Sequence, residues 1–362
     1  MCKLHQIDPQ KAEAFGGKLL DLLNHGSLAV MLSIGHRTGL LDKMSELPAA
    51  TSEEIAAAAG LNERYVREWL GAMAAGGIVE ISPNGQAPKF TLPTEHAALL
   101  TRAAGADNMG VFTQYIGLMG TVEDKVVDCF KNGGGVPYSE YKRFHEVMAE
   151  DSGQSVLSSL FDIILPLVPG LVDRLKQGIE VLDIGCGMGR ALNQMAQRFP
   201  NSRFTGCDLS EEAISKANSE AAEHATGNIR FEVRDLTTFD NDAPVARYDF
   251  ITSFDAIHDQ AQPDRVLAGI CRALKPDGVY LMQDISASSQ MENNLDHPLG
   301  SLLYTISTMH CMTVSLAQGG MGLGTMWGRE TAREMLRNAG FGEVDIHQLD
   351  HDMQNDYYVV RK

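Results

Sequence analysis

Apolar positions fall into two regimes along this chain. Up to about residue 175 they recur at helical spacing; from 178 onward short apolar runs alternate with helical stretches. Within residues 8–47, "FGGKLLDLLNHGSLAVMLSIGHRTGLLDKM" carries a helical pattern with glycines at its expected breaks. In the next stretch, "ATSEEIAAAAGLNERYVREWLGAMAAGGIVEIS", Thr51 or Ser52 caps a short helix with Glu54 nearby and Gly60 ends it. Asn62 caps a second helix, and Gly76 and Gly77 close that one ahead of a strand at 78–82. "PNGQAPKFTLP" then supplies a turn and a returning strand, which completes a winged-helix pattern with Trp69, Leu70 and Met73 as its packing residues.

Residues 100–175 predict further helices, "NMGVFTQYIGLMGTVEDKVVDCF" and "YKRFHEVMAEDSGQSVLSSLFDIILPLVP". The connection between them, "KNGGGVPYSEY", reads as a loose turn through Gly133, Gly134 and Gly135. The second regime runs "IEVLDIG", a helix to about 198, "RFTGCDL", a helix over 210–224, "IRFEVRDL", "YDFITSFDAI", a helix over 262–274 and "GVYLMQDI". Such alternation specifies an α/β fold, a doubly wound parallel sheet of Rossmann-like type with helices on both faces. Ligands of such sheets lie outside the carboxyl ends of the strands. The expected division is a winged-helix domain at 1–100, connecting helices at 101–177, and an α/β domain at 178–362 with an insertion at 286–328.

Charge narrows the partners. The 47 acidic against 30 basic residues leave a formal net charge of −17, which repels phosphate backbones. The would-be recognition helix offers Arg64 and Arg67 beside Glu63 and Glu68, so the winged helix is expected to serve dimerisation or to act as a lid, with no nucleic acid bound. No apolar run approaches the roughly 20 residues of a membrane span. The polar start lacks a signal-peptide core, and the expected location is cytoplasmic. Six cysteines, at 2, 129, 186, 207, 271 and 311, form no CxxC pair and fit neither a disulfide framework nor a standard zinc motif.

The chemistry concentrates at "LDIGCGMGR". Gly185, Gly187 and Gly189 alternate, and Arg190 stands where a dinucleotide loop would carry its third glycine. Backbone stripped at alternate positions accepts a flat nucleoside and an amino-acid tail instead. Asp183 precedes the turn, Asp208 ends the next strand in position for ribose hydroxyls, and Asp235 ends the one after, placed for an adenine amino group. With "TGCDLS", "VRDL", "ALKPDGVYLMQD", "ETAREMLRNAGFGEVDIHQL" and "YYVVRK", the region resembles a class I S-adenosylmethionine-dependent methyltransferase. A winged helix ahead of that fold is similar to the small-molecule O-methyltransferases, which use their first domain to dimerise and to close the acceptor pocket. The resemblance implies S-adenosyl-L-methionine as cofactor, a small-molecule acceptor and a homodimer, and adds Leu209, Leu236 and Phe254 to the cofactor set. It also implies His258, with Asp259, as general base in "FDAIHDQAQPDRVL", although Gln260 replaces the tryptophan of the family's His-Asp-Trp.

The insertion concentrates Met291, Met309, Met312, Met321 and Met326 with His297, His310 and Cys311. It is expected as a helical lid lining an apolar pocket, where Tyr138, Tyr141, His297, Met309 and His310 meet the acceptor. A sharper alternative is a soft-metal site from His258, His310, Cys311 and a thioether, serving a metal-assisted thiol S-methyltransferase. Acceptor hydroxyls and thiols both remain open, since a phenol near pKa 10 needs a base more than a thiol near 8.5 does. A further alternative is a cofactor-sensing transcriptional regulator that uses the winged helix on DNA.

Overall fold

The computed structural model describes residues 7–82 and 87–362, which fold into two compact units, Met1–Gly117 and Leu118–Lys362. The connecting segment is therefore divided: residues 101–117 belong to the first unit and 118–177 to the second.

A 30-residue helix, Pro9–Thr38, opens the first unit. The Asp8 carboxylate accepts the N–H groups of Gln10 and Lys11, and Gly39, at φ 71°, ends the helix. Gly16, Gly17, Gly26 and Gly35, expected near breaks, all lie inside it. Gly35 is there for packing, since a Cβ would come within 2.5 Å of the Trp69 ring. A capping box at Thr51 and Glu54 starts the helix Ser52–Ala59, and Asn62 caps Glu63–Ala75, as the sequence specifies. Trp69, Leu70 and Met73 are buried, and Trp69 Nε1 donates to the Met31 carbonyl at 2.8 Å. The antiparallel pair β1 (Glu80–Ser82) and β2 (Lys89–Thr91) makes the wing, its first strand starting two residues later than expected. The wing turn at 83–86 falls outside the described residues.

In the second unit the strands are β3 (Glu180–Ile184), β4 (Arg203–Asp208), β5 (Ile229–Val233), β6 (Tyr248–Phe254), β7 (Leu274–Ile285), β8 (Glu343–Leu349) and β9 (Asp352–Arg361). Their order is β5-β4-β3-β6-β7-β9-β8, with β5 to β7 parallel and β9 antiparallel to both neighbours. Val181, Phe250 and Leu281 face one apolar cluster while their successors or predecessors Leu182, Ile251 and Tyr280 face the other, so both sheet faces are covered. Residues 276–278 sit within β7, at an irregularity opposite Tyr248 and Phe250.

The chain enters the sheet at β3, winds outward to β5 and returns to the other side of β3 with β6. This switch opens a crevice at the carboxyl ends of β3 and β6. The 133–135 connection is more constrained than a loose turn. A Cβ on Gly135 would lie 1.9 Å from the Thr313 carbonyl oxygen and 2.3 Å from the Ala317 nitrogen, so this glycine lets the loop rest against the helix Met312–Ala317.

Candidate active site

The crevice holds a cavity of about 600 Å³. Its floor is the turn after β3. Gly185 and Gly189 both take φ 68°, and a Cβ on Gly189 would sit 2.4 Å from the Phe231 ring. A side chain at either position is excluded by conformation and by space. Asp208 ties this turn to the next: Oδ2 accepts from Gly187 N and Oδ1 from Ser210 N, both at 2.9 Å. Each oxygen keeps a further lone pair for a ligand hydroxyl. Asp183 is 3% exposed and accepts from the Thr252 hydroxyl at 2.7 Å; burial pushes its carboxyl up to about 7. Asp235 accepts from Thr237 N at 2.9 Å and, with Leu209, Leu236 and Phe254, lines the cavity. All nine residues expected at the cofactor site thus converge on one wall system.

His258 stands behind the wall, 3% exposed. Its Nδ1 is 2.7 Å from Asp284 Oδ1, an oxygen that also accepts from Trp327 Nε1 at 3.0 Å and from Ile285 N at 2.8 Å. Its Nε2 is 3.2 Å from Asp259 Oδ1, a charge contact without hydrogen-bond alignment. Burial opposes the imidazolium, but Asp284 and Asp259 outweigh it and hold the ring well above its ordinary value. Asp259 is the member of the pair that faces the cavity, and burial raises its carboxyl against the pull of His258. Cys311 completes the group, its buried thiol pushed up to about 11 by burial and by Asp259.

The structure sorts the other expected residues. Tyr138 and Tyr141 line the cavity, and Tyr141 donates its hydroxyl proton to the Met309 carbonyl at 2.5 Å. Met309, His297 and His310 do not line it. His297 is occupied structurally, with Nε2 2.9 Å from the Ser286 carbonyl and Nδ1 accepting from Leu299 N. His310 is 1% exposed and stacks on Phe144 with ring centroids 3.5 Å apart; burial keeps it neutral. It therefore does not join His258 and Cys311, and the third ligand-type side chain grouped with them is Asp259. The methionine-lined pocket is also corrected: Met291 and Met321 are exposed, Met326 packs with Ile285 and Leu303, and the insertion gives the cavity Val314 and Gln318.

Two cavity residues carried no signal in the sequence. His145 reaches the wall from the helix Phe144–Ser152, 4.9 Å from the Tyr138 ring. Asp255, the residue after β6, is a non-glycine at φ 48°, and Gln283 Nε2 donates to its Oδ2 at 3.0 Å while Oδ1 has no protein partner. Strain of this kind persists where surrounding structure enforces it, commonly at ligand sites.

Comparison with known proteins agrees with this architecture. Residues 175–340 match the model of a methyltransferase domain family, and residues 26–102 match an Rv2258c-like winged helix-turn-helix domain. The ubiquinone biosynthesis O-methyltransferase of Paracidovorax citrulli is 29% identical over 129 residues, 35% of this chain and 53% of that protein. The trans-aconitate 2-methyltransferase of Deinococcus radiodurans is 32% identical over 104 residues, 29% of this chain and 37% of that protein. The chain thus spans about half or less of the length of these curated relatives. Among solved structures, human N-acetylserotonin methyltransferase in complex with S-adenosylmethionine superposes with a TM-score of 0.69 at 17% identity over 99% of both chains. An O-methyltransferase-like protein from Nostoc punctiforme gives 0.68 at 16% identity over 95% of this chain and 98% of that one. At such identities the likeness establishes the fold, the class I methyltransferase fold with an N-terminal winged-helix domain.

Proposed function

This chain carries a methyltransferase domain behind a winged helix-turn-helix domain, and from that premise we propose that it transfers the methyl group of S-adenosyl-L-methionine to a hydroxyl or thiol of a small molecule. The observation that carries the reading is the convergence, at one switch point, of the glycine turn with carboxylates from the ends of β3, β4 and β5. Backbone at Gly185, Gly187 and Gly189 receives the methionyl tail, Asp208 the ribose hydroxyls, and Leu209 and Leu236 the adenine faces, with Asp235 at its amino edge. The cofactor is a cation at its sulfonium and its ammonium. Asp183, Asp255 and Asp259, all held above the usual carboxylate range, supply the matching negative charge as they ionise on its arrival.

The remaining task is alignment of the acceptor and removal of its proton. Tyr138, Phe144 and Val314 give that part of the cavity flat and apolar surfaces suited to a planar acceptor. Its proton leaves toward Asp259, with His258 and Asp284 behind it holding the charge. The working form is a homodimer, and among the described residues no helix is long and apolar enough to cross a membrane. Titration calorimetry with S-adenosylmethionine, S-adenosylhomocysteine and NADH, beside transfer of labelled methyl to phenols, hydroxy acids and thiols, tests the reading. Asp208→Ala should weaken cofactor binding by about 1.5–3 kcal/mol, the scale of hydrogen bonds to a charged group. Micromolar binding of NADH with none of S-adenosylmethionine would overturn it.

A further inference from the structure

His258, Asp259 and Cys311 offer an imidazole nitrogen, a carboxylate oxygen and a thiol sulfur that all lie within 4.8 Å of one another. They come from distant parts of the chain: the first two follow β6, and the third ends the turn Ser307–Cys311 of the insertion. A tetrahedral zinc ion, with bonds of about 2.0–2.3 Å, spaces its ligand atoms about 3.5 Å apart, so closing the group around an ion needs only small side-chain adjustments. The Nε2 to Oδ1 separation is already 3.2 Å.

Two further observations point to an ion. Asp259 Oδ1 is shielded from solvent and has no hydrogen-bond partner. The far side of the imidazole is fixed as metal-bound histidines are fixed, with Nδ1 against a carboxylate, Asp284, that is itself pinned by Trp327 Nε1 and Ile285 N. The ring is thereby oriented with Nε2 toward Asp259 and Cys311. We infer that His258, Asp259 and Cys311 form a zinc site whose fourth position is reached from the cavity past Asp259, the one ligand that lines it, and that this position takes a thiol acceptor as its thiolate. Three protein ligands with an open fourth position is the pattern of catalytic rather than structural zinc. A proton and a zinc ion are then alternative occupants of the space between these groups.

This assignment rests on the methyl-transfer reading above for its chemistry, though not for the binding of the ion. The acceptor thiol loses its proton to solvent on reaching zinc. Its sulfur attacks the methyl carbon, the new carbon–sulfur bond forms as the methyl–sulfonium bond breaks, and the electron pair of that bond stays with S-adenosylhomocysteine. The product is a neutral thioether, which the ion releases readily, and no oxidant or reductant is required.

The full-length chain, stripped with chelator, is titrated with zinc and separately with cobalt(II), and zinc is also measured in protein purified without chelator. The expected result is one ion per chain and a thiolate-to-cobalt charge-transfer band. Cys311→Ser should abolish that band and Asp259→Asn should weaken zinc binding at least tenfold. Calorimetry with S-adenosylmethionine on Cys311→Ser provides the fold control, with affinity within about twofold of the parent. Methylation of 2-mercaptoethanol or thiophenol should fall at least tenfold on chelation and return with zinc. Absence of stoichiometric binding, or a cobalt spectrum unchanged by Cys311→Ser, overturns the site. If S-adenosylmethionine also fails to bind, the methyl-transfer reading fails with it; if it binds normally, only the metal site falls.

Discussion

At the residue scale, the carboxylates and the imidazole behind the cavity are held away from their ordinary ionisation, and this gives two expectations. Asp183 is raised to about 7, so the fold favours its protonated form. Its stabilising contribution is complete below the ordinary carboxylate range and is lost as pH rises through about 7. The cofactor-free chain should therefore lose thermal stability as pH rises from about 4 to about 7, and Asp183→Asn should flatten the profile. Cofactor binding below pH 7 should release protons as the carboxylate ionises against a cation, readable by calorimetry in buffers of different ionisation enthalpy. A pH-independent melting profile in both proteins would contradict this account. For His258, which holds the charge behind Asp259, replacement by alanine should lower turnover of a phenol by at least about tenfold while cofactor affinity stays nearly constant. That separation of turnover from binding is what distinguishes a proton-handling residue from one that merely supports the fold.

At the scale of elements, the half of the cavity built on the glycine turn was readable because its determinants are local. A glycine turn, and the residues that end consecutive strands, fall together whenever the strands pair in parallel. The succession of β3 to β7 along the chain and the caps at Thr51, Gly60 and Asn62 were legible for the same reason. The other half was not. Its wall depends on how the 118–177 segment and the insertion fold over the sheet, through turns of π-helical type at Gly153–Leu157, Leu160–Ile164 and Ser307–Cys311 that shift side chains off a regular helical face. This displacement defeats periodicity at His310, read as an acceptor contact, which stacks on Phe144; His145, on the regular helix Phe144–Ser152, lines the cavity without any marker in its neighbourhood. The Gly133–Gly135 connection misled for a related reason, since the need for Gly135 arises from the backbone of a segment almost 180 residues away. A test at this scale is Gly189→Ala. The left-handed backbone costs an alanine about 1–2 kcal/mol, and the contact with Phe231 adds to it. The expected outcome is a lower melting temperature and a loss of cofactor affinity of tenfold or more, and unchanged affinity would mean that the turn does not hold this conformation.

At the scale of the whole molecule, the most conspicuous apolar surface lies on the helix Pro9–Thr38. Phe15, Leu19, Leu20, Leu22, Leu23, Val30 and Ile34 are all between 41% and 69% exposed. Soluble monomers rarely leave so continuous a strip in water. Its occupant is best matched by a second copy of the chain. Residues 19–34, "LLDLLNHGSLAVMLSI", hold one acidic residue, Asp21, and no lysine or arginine, on a chain whose formal net charge is −17. Two copies can therefore meet along this strip without the repulsion that other surfaces would impose. Gly16, Gly17 and Gly26 have nothing within 4 Å of where a Cβ would stand, which leaves room for close approach of another helix. A DNA duplex is a poor alternative, because Arg64 and Arg67 on the helix Glu63–Ala75 are each engaged by a glutamate of the same helix. Light scattering at micromolar concentration should report a dimer, and the double substitution Leu20→Glu with Leu23→Glu should convert it to a monomer that still binds S-adenosylmethionine. A monomeric parent protein would remove the helix from any role in self-association, and tight binding of duplex DNA at physiological salt would reassign the winged helix to nucleic acid.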